Sequence, residues 1–520
     1  MRRTAPSRSS PINAGWACVQ TGTFRELAPL NFRRLSWLSP GPLIKSRNDK
    51  LARWFGDPTN HMRRAWMARL GNPTDLVVRR YAERERISFA VLGDTGEGDL
   101  SQYAVVPVLA RAGAGTEFAV LCSDVIYPAG GIRSYRRAFY QPYSRYPAPI
   151  YALPGNHDWY DGLTGFMTAF CDAPVDAGVP PLPREDVSRW RRALRRLLWR
   201  RPPRASVEQL ADMRWLRDAD TQQAGQPGPY CAIDAGPVLL VMIDTGITGG
   251  IDADQAAWLR RVSRESPKPK ILLTGRPLYT YAYRQTSPIE ALDGGDAGDV
   301  NDIVTDPAHN YIAAIGGDDH NYQRYPVRLA DGRTVQYIVN GGGGAYLSAT
   351  HQIPNIDRLA PAVTEDDFRC YPLRGDSLAH FSRRYDRILG LGLGRLVVSP
   401  ADATALMAER IGVAPARRCT PKGQVSDHAR WAANRVFPLP GRVNKQPQNH
   451  GFSVLLDSDS APMFKSFLRV DAGPAEIVIY CWAATGCLEH EENPVLEDRV
   501  RARLGADGRW CWTSETPARP

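Results

Sequence analysis

The chain has 520 residues, of which 43% are hydrophobic and 9% aromatic, and this composition is typical of a globular protein. Its formal net charge of +10 permits anionic partners without specifying one. Because no run of about 18 uncharged apolar residues occurs, a transmembrane helix is not expected. The basic start MRRTAPSRSS has no apolar stretch behind it, so it does not have the pattern of a secretory signal.

The cysteines favour a reducing compartment. The chain has nine of them, an odd number, widely scattered and without a CxxC pair. This pattern indicates reduced thiols more than a disulfide framework. We therefore expect a cytoplasmic protein.

Residues 1–86 are interpreted as an N-terminal extension with helical stretches. NDKLARWFGD, at residues 48–57, predicts a short helix. NPTDLVVRRYAERER, at residues 72–86, predicts a second helix that leads into the first strand.

Residues 87–350 are predicted to form one core domain and carry five short strings, each behind an apolar run. The runs are β-branched or aliphatic and stop at Gly or at a polar cluster, as strands do. Ligands of open α/β sheets bind beyond the carboxyl ends of the strands, so strand ends with metal-type side chains predict one shared site. The strings are GDTG (Gly93–Gly96), SDVIY (Ser123–Tyr127), GNHD (Gly155–Asp158), TGRPLY (Thr274–Tyr279) and GDDH (Gly317–His320).

This ordered set resembles the calcineurin-like metallophosphoesterases, and among them it is most similar to the purple acid phosphatase motif pattern. In that pattern the first motif ends in Gly and the second in Tyr, as Gly96 and Tyr127 do here. The resemblance implies that residues 87–350 are a catalytic domain with an α/β fold, a four-layer αββα sandwich with N-terminal and C-terminal extensions. It also implies two metal ions about 3.5–4 Å apart.

Carried over residue by residue, the resemblance implies a first metal bound by Asp94, Tyr127 and His320. Asp124 would bridge the two metals, and Asn156 would bind the second. The metals would be one or two ions of Fe, Mn, Mg or Zn.

The second-metal set departs from the family pattern. Where the family has a ligand imidazole before Pro277, this chain has Gly275 followed by Arg276, and where it has a second imidazole, this chain has Asp318. Three interpretations stay open: a weak second metal with Asp318 as an oxygen ligand, one metal with Arg276 clamping phosphate, or a degenerate site. His309 or His351 could also replace a missing imidazole.

The resemblance implies a metal-dependent hydrolase, with a metal-bound hydroxide attacking a phosphoric ester in line. His157 would contact the phosphate or protonate the leaving oxygen, with Asp158 as its orienting partner. A phosphorylated small molecule or another anion is the expected substrate, and phosphomonoesters are favoured over phosphodiesters. The alternative is a catalytically weak regulatory protein that binds phosphate or metal.

An insertion at about residues 172–228 contains a basic stretch, residues 184–204, in which Trp190 and several leucines recur at helical spacing among arginines. It predicts a basic amphipathic helix ended by two prolines. Its role is open between a lid or surface helix, peripheral contact with an anionic membrane, and contact with nucleic acid or polyphosphate. No specific nucleic-acid motif accompanies the charge.

Two later strings extend the core. VLLVMIDTG, at residues 238–246, predicts a buried strand, and Asp244 is interpreted as structural instead of as a ligand. YIVNGGGGAYL, at residues 337–347, predicts a strand whose glycines let the backbone pass close to the metal site or to a sheet edge.

Residues 351–520 are predicted to be a C-terminal extension. ATALMAERIGV, at residues 403–413, predicts a helix. The β-rich segment at about 450–485 predicts an antiparallel sheet, which either extends the sheet of the core or stands as its own module.

Overall fold

The computed structural model describes most of the chain. The described residues are 37, 39–45, 48–176, 178–180, 188–190, 193, 205–217, 225–291, 296–412, 424–436, 464–484 and 495–515. The strands are β1 (Val77–Val78), β2 (Ile87–Gly93), β3 (Phe118–Cys122), β4 (Ile150–Leu153), β5 (Cys231–Ala235), β6 (Val238–Ile243), β7 (Ile251–Asp252), β8 (Lys270–Thr274), β9 (Tyr279–Thr280), β10 (Tyr283–Arg284), β11 (Pro288–Glu290), β12 (Asp296–Asp299), β13 (Tyr311–Gly316), β14 (Tyr322–Arg328), β15 (Thr334–Asn340), β16 (Arg369–Tyr371), β17 (Lys465–Ala472), β18 (Glu476–Ala484), β19 (Val495–Leu504) and β20 (Trp510–Ser514).

The helices lie between and after these strands. They are α1 (Pro40–Lys45), α2 (Asn48–Phe55), α3 (Thr59–Arg69), α4 (Leu100–Tyr103), α5 (Val106–Ala112), α6 (Asn156–Trp159), α7 (Thr164–Phe170), α8 (Val207–Arg214), α9 (Ala253–Glu265), α10 (Val300–Thr305), α11 (Arg374–Leu389), α12 (Pro400–Ile411) and α13 (Asp427–Val436). Among the described residues, none of these helices is long and apolar enough to cross a membrane.

The larger sheet has eight strands in the order β1-β5-β6-β8-β13-β15-β14-β16. Its central strands β6, β8, β13 and β15 run parallel, and β14 returns antiparallel beside β15. The sequences of β6 and β13, VLLVMI and YIAAIG, are apolar and buried throughout. Such unbroken runs are typical of parallel strands that are covered on both faces.

The second sheet has seven strands in the order β20-β19-β18-β17-β2-β3-β4. Strands β2, β3 and β4 are parallel, and β17 pairs antiparallel with β2, with Leu468 opposite Val91. The C-terminal strands therefore extend the sheet that begins at residue 87. The described part of the β-rich segment is therefore part of the core sheet and does not form a separate module.

The two sheets share one buried core. Phe89 and Val91 of β2 lie in the same hydrophobic cluster as Leu240 of β6 and Leu272 of β8. The alternate residues of β2 point the other way, since Ala90 and Leu92 lie in a second cluster with helices α5 and α7. The predicted α/β class is confirmed, with sheets and helices interleaved along the chain.

The N-terminal helix α3 is tied to the core by a buried ion pair. Arg63 Nε lies 2.8 Å from Asp244 Oδ2, and Arg63 Nη1 lies 2.8 Å from Asp252 Oδ2. The other oxygen of Asp244 accepts from Trp159 Nε1 at 2.9 Å and from the backbone N–H of Gly246 at 2.9 Å. These contacts confirm that Asp244 is a structural residue.

Substitution of Arg63 by Met is expected to lower the free energy of unfolding by about 3–5 kcal/mol, because two buried carboxylates lose their cation. Urea denaturation followed by circular dichroism measures this loss. Arg64→Met is the matched control, since Arg64 pairs with Asp254 at the surface, where the side chains are 31% and 60% exposed. The control should cost less than about 1 kcal/mol. Equal losses in the two variants would contradict the structural role of Arg63.

Several local predictions can be compared with the structure. The helices predicted at residues 48–57 and 403–413 are confirmed, with observed bounds of Asn48–Phe55 and Pro400–Ile411. The helix predicted at residues 72–86 is wrong, because Val77 and Val78 form the edge strand β1 beside β5 and Tyr81 packs on Phe118 with ring centroids 4.8 Å apart. Two adjacent β-branched residues suit a strand better than a helix.

Other predictions remain untested. Most of the basic stretch at residues 184–204 lies outside the described residues, as does the strand predicted near residue 455. The membrane and nucleic-acid roles of that stretch, and the domain boundaries, stay predictions. In the described part of the chain, six cysteines carry no disulfide.

Candidate active site

The ends of strands from both sheets meet at one place. The backbone N–H of Asp318, after β13, donates to both carboxylate oxygens of Asp94, after β2, at 3.1 and 2.9 Å. Cys122 Sγ, at the end of β3, lies 3.3 Å from the carbonyl oxygen of Thr274 at the end of β8. The strand ends predicted to share one site are therefore neighbours.

Four residues at these strand ends have a left-handed backbone conformation. Asp94, Asp124 and Asp318 have φ values of 54°, 37° and 69°, and Ser123 has a φ of 77°. The left-handed region is tolerated by Asp but is rare for Ser, so the backbone strain lies mainly at Ser123. Such strain is concentrated at functional sites.

The Tyr127 hydroxyl lies at the centre of the predicted first-metal set. It lies 3.2 Å from Asp94 Oδ1, 2.9 Å from Asp124 Oδ2 and 3.0 Å from His320 Nε2. His320 Nδ1 donates to the carbonyl oxygen of Tyr346 at 2.9 Å, so in the neutral imidazole Nε2 is the acceptor. Three acceptors thus converge on a hydroxyl that has one proton, an arrangement that suits a cation.

The electrostatics of the two carboxylates also favour a cation. Burial, followed by the charge of Asp124, raises the pKa of Asp94 well above its ordinary value. Burial likewise raises the pKa of Asp124, although His157 opposes the shift. A metal ion among these groups would neutralise the charge that burial penalises.

The chemistry of the donor set is compatible with a metal ion. Within the described ranges, no group of three or more His, Cys, Asp and Glu side chains is arranged to hold a metal ion by itself. The Tyr127 oxygen lies within 3.2 Å of Asp94 Oδ1, Asp124 Oδ2 and His320 Nε2, so the cluster offers three oxygens and one nitrogen. This mixed set is compatible with the transition metals and hard cations that were predicted.

Asn156 presents an oxygen that has no partner. Its Nδ2 donates to the hydroxyl of Tyr160 at 2.8 Å and to Asp49 Oδ1 at 3.2 Å. Its Oδ1 is buried without a hydrogen-bond partner in the structure. A buried acceptor left in this state is costly unless a cation or a donor arrives.

Arg276, in the fourth string, lies beside two carboxylates. Its Nη2 lies 3.0 Å from Asp49 Oδ2, and its Nε lies 3.8 Å from Asp318 Oδ2. Burial alone would lower the pKa of Arg276, but the carboxylates of Asp318 and Asp49 raise it above its ordinary value. A permanently charged guanidinium therefore occupies this side of the site.

His157 has a different orienting partner from the one predicted. Its Nδ1 donates to the carbonyl oxygen of Pro128 at 2.9 Å, and its backbone N–H donates to Asp124 Oδ1 at 2.8 Å. Asp158 instead accepts from backbone N–H groups, including those of Val125 and Gly155. The expectation that Asp158 orients His157 is corrected: Asp158 fixes the loop that carries Asp124.

The two spare histidines are held elsewhere. His309 Nδ1 donates to the carbonyl oxygen of Ile303 at 2.8 Å, and His351 Nδ1 lies 2.9 Å from Ser377 Oγ. Neither imidazole is placed by these contacts to replace a missing second-metal ligand.

The N-terminal extension covers the site, and sequence reasoning missed this. Trp37 Nε1 donates to Glu97 Oε1 at 2.9 Å, and its ring lies 5.6 Å from the rings of both Tyr127 and His157. Asp49 enters from α2. The only sequence signal for Asp49 was its position early in a predicted helix, and this says nothing about a distant partner.

Close packing of glycines brings the strand ends together. A Cβ at Gly341, in the glycine-rich string, would lie 2.7 Å from Asp94 Oδ2. The prediction that this backbone passes close to the site is confirmed. A Cβ at Gly155 would lie 2.2 Å from Asp124 Oδ1 and 2.3 Å from the Asp124 backbone nitrogen.

Gly155→Ala is accordingly expected to displace Asp124 and to lower the free energy of unfolding by about 1–3 kcal/mol. Metal affinity should fall in the same variant, which titration calorimetry with Mn²⁺ measures alongside urea denaturation. Gly41→Ala serves as the control, because nothing lies within 4 Å of its Cβ position. Unchanged stability and metal affinity in Gly155→Ala would contradict the placement of Asp124.

Comparisons with known proteins give distant structural likenesses. No family model matches the chain, and no curated protein matches it. Among solved structures, the chain is similar to a purple acid phosphatase from yellow lupin (Lupinus luteus), with a TM-score of 0.35 and 10% identity over 81% of this chain and 54% of the lupin chain.

Two further solved structures are similar at the same level. PhoD gives a TM-score of 0.39 and 9% identity over 84% of this chain and 72% of its own. TT1561 of Thermus thermophilus gives a TM-score of 0.25 and 12% identity over 48% of this chain and 88% of its own. The match with the lupin enzyme spans only about half of that enzyme's length.

Proposed function

We propose that the protein is a metal-dependent phosphoric ester hydrolase with a preference for phosphomonoesters. The observation that supports it most is the convergence of Asp94, Asp124 and His320 on the Tyr127 hydroxyl, next to the charged Arg276. An acceptor cluster suited to a cation, adjacent to a fixed guanidinium, suits binding of a phosphoryl group. On this proposal the two sheets and their covering helices form a four-layer αββα sandwich.

One metal ion would be held by Asp94, Asp124, Tyr127 and His320. When bound, it would supply a Lewis acid that lowers the pKa of a coordinated water toward about 7. Fe, Mn, Mg and Zn are the candidates, and the phenolic oxygen of Tyr127 favours an Fe³⁺ ion among them.

Arg276 would serve as the second cation of the site. A planar guanidinium can donate two parallel hydrogen bonds to phosphate oxygens, which a point charge cannot do. Two neighbouring carboxylates hold Arg276 beside the acceptor cluster. Arg276 Nε lies 3.8 Å from Asp318 Oδ2, and Arg276 Nη2 lies 3.0 Å from Asp49 Oδ2. One metal ion together with Arg276 is one of the three interpretations that the sequence left open for the altered fourth and fifth strings.

His157 would donate a proton to the leaving group. Because Nδ1 donates to Pro128, Nε2 carries the lone pair of the neutral ring and the transferable proton of the imidazolium. The ring is packed against Tyr127 and Tyr160, with centroid distances of 4.5 and 4.7 Å, which fixes its plane. A fixed imidazole at the edge of the site is suited to general acid catalysis.

The proposal is tested by hydrolysis of para-nitrophenyl phosphate by the purified full-length protein. Mn²⁺, Mg²⁺, Zn²⁺ and Fe are supplied in turn, and bis(para-nitrophenyl) phosphate is the diester comparison. We expect turnover with at least one metal, faster on the monoester. Absence of turnover with every metal would remove the hydrolase proposal.

The second candidate is a regulatory protein that binds phosphate or metal without turnover. The contact of Asp49 with Arg276 favours this second candidate, because a carboxylate of the chain already accepts a hydrogen bond from the guanidinium. Phosphate binding without hydrolysis under every metal would support this candidate.

A further inference from the structure

We propose that the Asp49 carboxylate is an intramolecular occupant of the anion site, which an anionic substrate must displace from Arg276. This inference rests on the proposed role of Arg276 as the phosphate-binding cation. It assigns a function to helix α2, which belongs to an N-terminal extension outside the five strings.

The contacts of Asp49 are those expected of a bound anion. Its Oδ2 accepts from Arg276 Nη2 at 3.0 Å. Its Oδ1 accepts from the Tyr160 hydroxyl at 2.9 Å and from Asn156 Nδ2 at 3.2 Å. Both carboxylate oxygens are therefore bonded to donors of the core, as two oxygens of a phosphate would be.

These three donors come from separate parts of the core. Asn156 and Tyr160 lie at and just after α6, whereas Arg276 follows β8. Contacts within the core also hold these donors. Asn156 donates to the Tyr160 hydroxyl at 2.8 Å, and Arg276 faces Asp318. The donor set therefore belongs to the core and would persist when Asp49 leaves.

The occupant is placed so that it can be exchanged. Asp49 is 26% exposed and Arg276 is 20% exposed, so water and small anions reach the pair from one side. A partly exposed ion pair is worth less than a fully buried one, and phosphate carries more negative charge than one carboxylate. Displacement does not require the core to unfold.

The consequence is a reduced apparent affinity for anions. When only a fraction of molecules have Arg276 vacant, the apparent dissociation constant is the intrinsic one divided by that fraction. Weak anions would be excluded, and ligands that make further contacts at the metal centre would be selected. Asp49 would thus be a specificity-determining residue.

The test is titration calorimetry of inorganic phosphate into the full chain, with and without Mn²⁺. We expect Asp49→Asn to bind phosphate about tenfold more tightly than the wild type. Asp254→Asn is the matched control, since it removes the same charge from another ion pair between the N-terminal segment and the core, Arg64 with Asp254. Its phosphate affinity should equal that of the wild type. Equal or weaker binding by Asp49→Asn would overturn the proposal, as would equal gains in both variants.

Hydrogen exchange gives a second readout in the unmodified protein. Saturating phosphate should accelerate amide exchange in residues 48–55, because the helix loses its anchor on Arg276. If phosphate instead protects these amides, Asp49 is part of the ligand site and the proposal is wrong.

Arg276→Ala separates this proposal from the proposed function. If Arg276→Ala loses phosphate binding while Asp49→Asn binds phosphate as the wild type does, Asp49 is not an occupant of the anion site. The role of Arg276 as the phosphate-binding cation is then still supported. If Asp49→Asn binds more tightly but no metal gives hydrolysis, the occupant is supported and the hydrolase proposal fails.

Discussion

Asp124→Asn is expected to lower kcat/KM for an aryl phosphate by about 10³-fold or more while the fold is retained. One oxygen of Asp124 accepts from Tyr127 and the other from the backbone of His157, so this carboxylate joins the acceptor cluster to the residue proposed as proton donor. The amide removes the negative charge that a metal ion would neutralise. Progress curves with para-nitrophenyl phosphate measure the loss.

Asp234→Asn is the matched control for that variant. Asp234 lies on β5 in an ion pair with Lys268, with a distance of 2.6 Å, away from the strand ends of the site. Its activity should stay within about twofold of the wild type, since a surface pair contributes little. If Asp124→Asn keeps full activity, the acceptor cluster is not the catalytic centre.

Arg276→Ala is expected to lower kcat/KM by about 10²-fold, and Arg276→Lys should recover only part of it. The planar guanidinium is the group proposed to bind phosphate oxygens, and lysine supplies the charge without the paired donors. The number of metal ions per chain should not change in either variant. Steady-state kinetics together with elemental analysis measure both quantities.

Arg261→Ala is a suitable comparison, because Arg261 is exposed and donates to the carbonyl oxygen of Thr74. It should leave kcat/KM unchanged. A gain of a second metal ion in Arg276→Ala, together with faster turnover, would show that Arg276 blocks a metal site instead of replacing one.

Much of the site could be predicted from local sequence. The apolar runs before Asp94, Asp124 and His320 predict strands, and the carboxyl ends of parallel strands meet at one edge of a sheet. The order and identity of the polar residues after those runs then indicate which side chains share the site. The structure brings these side chains to the Tyr127 hydroxyl.

The remaining contacts have no local signal. Pro128 orients His157 through a carbonyl oxygen, which every residue possesses and no motif marks. Asp49 and Trp37 reach the site from the N-terminal extension. Asp49 and its partner Asn156 are more than a hundred residues apart in the sequence. The edge strand at Val77 replaced a predicted helix because its pairing partner is distant in sequence.

Metal content per chain tests the central claim most directly. The protein is reconstituted with Mn²⁺ or with Fe, freed of loosely bound ions and measured by elemental analysis against protein concentration. One metal ion held by the cluster around Tyr127, with Arg276 as the second cation, predicts one ion per chain in the wild type and none in Asp124→Asn. Two ions per chain in the wild type, or one ion retained by Asp124→Asn, would contradict it.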